Sequence, residues 1–253
     1  MADGSSRGML PKDANKFVED LIKQQVFTKI TRDTIVRITP PLIITKDEME
    51  LLIEKIKRDK NRVDINELEV NNNNLEEISG GYIVQVDRAS DNPDQYWSSS
   101  FNDSIFFQYI YPRWKNINST QKLYIQEFIY QFEYLILNSN PNSLHQIYDS
   151  LINVDSFIDY FIVSELSKNI DAYRLSTYIY KDKESIDDRL TAGPIWDFNH
   201  GYGNCDYGQT WEVENWLLEY NPEGGDQMSF WWELLWQDEN FQAKVSERYT
   251  ELR

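Results

Sequence analysis

At 253 residues with 41% hydrophobic content, the chain is long enough for one large domain or two small ones with a real core. Its 25 Lys/Arg against 42 Asp/Glu give a net charge of −17, which disfavours nucleic acid or an anionic membrane as partner and favours cations. One cysteine, Cys205, and two histidines, His145 and His200, exclude an internal disulfide framework, a cysteine-based zinc cluster and a histidine-rich metal site. No run approaches 18 apolar residues and no apolar segment follows Met1, so the expectation is a soluble chain without signal peptide or membrane span, cytoplasmic by default.

Composition breaks near residue 62. All 8 Trp, all 16 Tyr and 10 of 12 Phe follow Arg62, leaving Phe17 and Phe27 before it. Residues 1–62 hold 13 Lys/Arg against 10 Asp/Glu, whereas the remainder holds 12 against 32. Two segments of different origin are expected, 1–62 and 63–253. Residues 1–12 are small and polar, a disordered start by composition. From Asp13 to Gln25 the apolar positions Phe17, Val18, Leu21 and Ile22 predict a helix capped by Asp13. A strand is expected over Thr34–Ile38, stopped by Pro40-Pro41. Thr45 and Glu48 form a capping-box start for a helix running to Lys60 on the stripe Met49, Leu52, Ile53, Ile56.

This first segment, about residues 10–60, resembles the C-terminal end of ornithine aminotransferase, a pyridoxal-phosphate enzyme, through the run Thr31 to Thr45 with its Arg37, Pro40-Pro41-Leu42 and Ile44. The resemblance places Arg37 on the arginine that grips a substrate carboxylate, a role suited to a planar guanidinium. The large domain, the Schiff-base lysine and the aspartate for the pyridine nitrogen are missing. A helix-strand-helix remnant of aminotransferase small-domain type is therefore expected, without pyridoxal phosphate, and with Arg37 a surface or strand-end arginine.

Residues 61–79, with Asn71 to Asn74, read as a linker or loop. Gly80-Gly81 opens a strand over Tyr82–Asp87, and it lacks the spacing and the following lysine of a phosphate loop. From Asp91 to Trp114 the chain reads as a long loop holding one strand, Ile105–Tyr111. Asn118 to Gln121 can cap a helix whose apolar positions are Leu123, Ile125, Phe128, Ile129, Phe132, Leu135 and Ile136. Asp155-Ser156-Phe157 starts the next helix, which leads to Asp171. Leu175–Lys181 is a strand by its β-branched and aromatic residues, broken by the charged segment Asp182–Arg189 and followed by a second strand. That hairpin brings Asp171 and Asp197 to one end. Trp232 and Trp236, four residues apart, read as core on a helix rather than a sugar-binding face, and a last helix runs to Arg253.

An acid before a hairpin and another just after it is the arrangement in which a protein kinase holds the carboxylate that accepts the substrate proton and the one that holds Mg²⁺. The alternative from spacing alone is that each Asp caps a turn. Ser167 to Arg174, Tyr178-Ile179-Tyr180 and Pro194 to Asn199 resemble the signature of the CotH family, spore-coat protein kinases with an atypical kinase fold. The resemblance covers about residues 63–253 and implies an α+β, partial kinase-like fold, mostly C-lobe. It implies ATP and Mg²⁺ as cofactors and a Ser/Thr-rich protein as substrate. It assigns Asp171 as the catalytic aspartate that takes the hydroxyl proton, Asp197 and Asn199 to the metal, and Tyr82 and Val84 to a strand edge facing the adenine. Family members can lie at the spore or cell surface.

Two departures stand out. Ser176 occupies the place of a metal-binding Asn, and Asn199 that of a second Asp. A kinase also needs a small lobe with a phosphate-binding lysine, and the aminotransferase-like segment stands in its place. The reading is thus a CotH-type phosphotransferase impaired or inactive in this chain. Its alternatives are a non-catalytic pseudokinase or orphaned lobe, and a residual aminotransferase.

Overall fold

The computed structural model describes residues 28–31, 35–38, 58–60, 62–140, 143–208, 210, 212, 214–220 and 226–252. The chain divides into two compact units, residues 1–55 and 56–253. In the first, β1 (Thr28–Thr31) and β2 (Ile35–Ile38) form an antiparallel pair in which Lys29 faces Arg37. The strand expected over Thr34–Ile38 is present as β2; β1 was not anticipated. The polar start, the helix over Asp13–Gln25 and most of the helix expected over 45–60 lie outside the described residues. The last three residues of that helix are not helical: Arg58 makes a bridge to Val63, and Lys60 lies in a turn.

The second unit is α+β. Its sheet contains β3 (Tyr82–Asp87), β4 (Tyr96–Ser98), β5 (Phe106–Tyr111), β6 (Thr177–Lys181) and β7 (Leu190–Ala192). The order is β4-β5-β3-β6-β7, every pair antiparallel. The chain from Asp91 to Trp114 thus holds two strands. β4 is three residues in polar surroundings, too short to show an alternation.

Helices cover the sheet. After the single turn α1 (Leu75–Ile78) come α2 (Ser119–Asn138), α3 (Leu144–Leu151), α4 (Val154–Ser167), α5 (Phe230–Gln237) and α6 (Glu239–Glu251). α2 starts where its sequence signal lies. Asn118 accepts from the Gln121 amide, and Gln121 reaches back to the Asn118 amide, so two orphan donors of the first turn are satisfied. Ile125, Ile129, Phe132 and Ile136 put one stripe into the core. α4 is capped by Asn153 rather than by Asp155, which lies in its first turn.

The stretch read as a linker or loop, 61–79, is a loop held in place. Val63, Ile65 and Leu68 are buried. The wholly buried Gln121 side chain donates to the carbonyls of Glu69 and Asn72 at 2.7 and 2.9 Å. The tryptophans of α5 are core, as their spacing suggests: Trp232 packs against Phe157, Tyr160 and Tyr173, while Trp236 stacks on Phe161 at 4.7 Å.

Candidate active site

Strand register fixes what meets at one end of the sheet. Val86 of β3 faces Thr177, the first residue of β6, and Ala192, the last residue of β7, faces Ile179. The end of β3, the chain entering β6 and the chain leaving β7 therefore converge. These bring Asp87 and Arg88, then Asp171 to Ser176, then Gly193 to His200 into one place.

The Asp171 turn is made by the way α4 ends. Lys168 takes a left-handed conformation at φ 50°, and the Ala172 amide returns to the Asn169 carbonyl at 2.9 Å. The Asp171 carbonyl accepts from the Leu175 amide at 2.8 Å, with Tyr173 at φ 72° and Ser176 at φ 50°. Non-glycine residues at positive φ cluster where surrounding packing over-determines the backbone, and functional sites are such places. Tyr173 is wholly buried and donates to the Glu165 carboxylate at 3.0 Å, which anchors the turn on α4.

On the other side Gly193 continues the ladder by donating to the Tyr178 carbonyl at 2.8 Å. Asp197 lies at φ 57°, capping a 3-10 turn over Phe198–His200. The segment folds back on α4: the Tyr202 amide donates to the Ser167 carbonyl, and a Cβ on Gly201 would lie 3.0 Å from that same oxygen. Glycine at 201 suits this close approach to the end of α4, where a Cβ would crowd the Ser167 carbonyl.

The electrostatics agree with this convergence. Burial raises the Asp171 pKa above its ordinary value; His200 and the more weakly acting Arg88 and Arg174 oppose the rise, and Asp197 adds to it by repulsion. Asp87 is likewise raised, first by burial, while the backbone of Arg88 and Ser176 opposes the rise. Arg88 forms a two-pronged ion pair with Asp226, Nε to Oδ1 at 3.1 Å and Nη2 to Oδ2 at 2.5 Å. Arg174 is held by the carbonyls of Ile170 and Tyr220, and burial lowers its pKa. Two polar atoms here, Asn169 Oδ1 and His200 Nδ1, are buried without a hydrogen-bond partner among the described residues.

Of the residues singled out from sequence, the structure brings Asp171 and Asp197 close enough to interact, and Asn199 lies two residues after Asp197 in the same turn. It does not bring Tyr82 or Val84 there. β3 is the middle strand, bonded through Val84 to Tyr109 of β5 and to Ile179 of β6, so the edge expected to face an adenine is occupied. Both side chains are buried in the core, with the Tyr82 hydroxyl donating to the Ile78 carbonyl at 2.8 Å. Tyr82 also lies five residues from Asp87 along an extended strand, roughly 16 Å away. Arg37 lies on β2 in the other unit. His200, Asp87, Arg88 and Asp226 were missed. The aspartates and Arg88 are far from Asp171 in sequence; only His200, the residue immediately after Asn199, carried a local signal.

Among the described residues, no group of three or more His, Cys, Asp or Glu is arranged to hold a metal. Mg²⁺ in a phosphoryl-transfer site needs less from the protein: one or two carboxylates, with phosphate and water completing the shell. Asp171 and Asp197 are close enough to repel one another. Among the described residues no helix is long and apolar enough to cross a membrane.

A stretch of 48 or 49 residues relates the chain to ornithine aminotransferases. The enzyme of Staphylococcus epidermidis is 44% identical over 48 residues, and that of Staphylococcus carnosus 43% identical over 49. The match spans 19% of this chain and 12% of each of those proteins. No solved structure matches the chain. The family model described as CotH kinase protein matches residues 51–253, beginning some residues ahead of the compositional break. With that match spanning most of its length, the chain belongs to the CotH kinase protein family.

Proposed function

We propose that this protein is a CotH-type phosphotransferase that uses Mg-ATP and directs its chemistry at a Ser or Thr hydroxyl of a protein. The observation that carries the reading is the convergence of Asp171 and Asp197 at one end of the sheet, with Asp171 titrating above an ordinary aspartate. Asp197, helped by Asn199, would hold Mg²⁺, which supplies charge neutralisation on the phosphates. Asp171 accepts the hydroxyl proton as the hydroxyl oxygen bonds to the γ-phosphorus and the bond to ADP breaks. A raised pKa suits that role because a stronger base takes the proton more readily. His200 and Arg88 balance the charge around it.

Turnover is proposed to be low. The reaction depends mainly on positioning and charge neutralisation, so loss of a phosphate-binding lysine costs orders of magnitude. Lys181 does not replace it. Its side chain is wholly buried, donates to the Ser79 and Asp182 carbonyls at 2.8 and 3.1 Å, and pairs with Asp188 at 3.0 Å. The arginines that act on Asp171 are Arg88 and Arg174, and of these only Arg88 is exposed. The test is a thermal shift with millimolar Mg-ATP, followed by transfer of labelled phosphate to a serine-rich peptide. Stabilisation with slow, Asp171-dependent labelling supports the reading; no stabilisation replaces it with an orphaned lobe that binds no nucleotide.

A further inference from the structure

A cavity of about 530 Å³ opens between β4 and the outer face of α2, and none of the candidate active-site residues lines it. Tyr96 and Trp97 come from β4; Gln126, Glu127, Tyr130 and Glu133 come from successive turns of α2. Its aromatic walls are held from behind. Trp97 packs against Phe107 at 5.2 Å and Tyr109 at 4.6 Å, and Tyr130 stacks on Phe101 at 5.2 Å. Gln126 is tied to the Tyr109 hydroxyl.

Glu133 is the one buried residue of the lining, at 1% exposure, and its Oε1 has no hydrogen-bond partner among the described residues. A carboxylate removed from water is costly unless a donor or cation meets it. Burial raises its pKa to about 7, against a hydrogen bond with the Ser99 side chain that opposes the rise. Glu127 stands at the exposed mouth, where the Gln131 amide steadies it at 2.7 Å. No lysine, arginine or histidine is among the described lining residues. Aromatic faces, a carboxylate at the base and another at the entrance form a receptor for an organic cation.

The geometry points to a second binding site in this protein, specific for an alkylammonium group that enters between Tyr96, Trp97 and Tyr130 and pairs with Glu133. That group can belong to a free amine or to a lysine side chain of a protein. Calorimetric titration at pH 8 of the full chain with n-butylammonium, with n-butanol and with a lysine-containing hexapeptide tests it. Binding of butylammonium with a Kd in the millimolar range, at least tenfold weaker binding of butanol, and at least tenfold weaker binding to Glu133→Gln are expected. Glu127→Gln, a surface change that leaves the core intact, should weaken binding about threefold. A hexapeptide that binds more tightly than butylammonium assigns the site to protein lysines, and the reverse assigns it to free amines. Equal binding of butanol and butylammonium, or undiminished affinity in both variants, overturns the proposal.

Discussion

Asp171→Asn keeps the shape of its side chain and removes its basicity, so it separates proton acceptance from ligand binding. Mg-ATP affinity should change by less than about threefold, while any phosphotransfer falls by about 10² to 10⁴, as general-base removal does. Glu133 yields a different test. Its folded-state pKa of about 7 lies above its ordinary 4.5, so the folded protein holds that proton more tightly than the unfolded chain. Its contribution is full below pH 4.5 and is lost as pH rises through 7, by at most about 3 kcal/mol. Glu133→Gln should therefore raise the melting temperature at pH 8 and flatten its decline between pH 5 and 8. An unchanged pH profile of melting would place the Glu133 proton elsewhere.

Among the elements, periodicity separated what was legible from what was not. α2 has five turns with one apolar stripe and a capping box, so both its existence and its first residue were readable. β3, β6 and β7 were readable from β-branched residues between glycines and charges, and that hairpin was enough to expect Asp171 and Asp197 together. α3 was not readable, because eight residues with buried Leu144 and Tyr148 carry too few turns to show a stripe. The partners of β3 were also hidden: strand order depends on long-range pairing, and a middle strand and an edge strand have similar composition. Hence the adenine edge was expected where a ladder bond stands. Hydrogen exchange should find residues 123–136 and 156–168 well protected. The Tyr96–Ser98 amides should be slower than residues 88–92, because β4 is paired with β5. On α5, Trp232→Ala should cost about 3 to 5 kcal/mol by emptying the space between Phe157, Tyr160 and Tyr173. Denaturant unfolding measures this, and a loss under 1 kcal/mol would show that this aromatic cluster can collapse around the gap.

At the scale of the molecule, net charge sets a condition on any nucleotide. With −17 overall and 32 acids against 12 bases after residue 62, the protein repels free ATP, and an accompanying Mg²⁺ offsets part of that repulsion. The central claim is that the far-apart Asp171 and Asp197 meet to divide the chemistry, one on the proton and one on the metal. The direct measurement is calorimetric titration of Mg-ATP into the wild-type protein, Asp171→Asn and Asp197→Ala, with ATP plus a chelator as control. The account predicts binding to the wild type and to Asp171→Asn within about threefold, at least tenfold weaker binding without Mg²⁺, and no detectable binding to Asp197→Ala. Equal Mg-ATP affinity in Asp197→Ala, or no binding to the wild type, would contradict it.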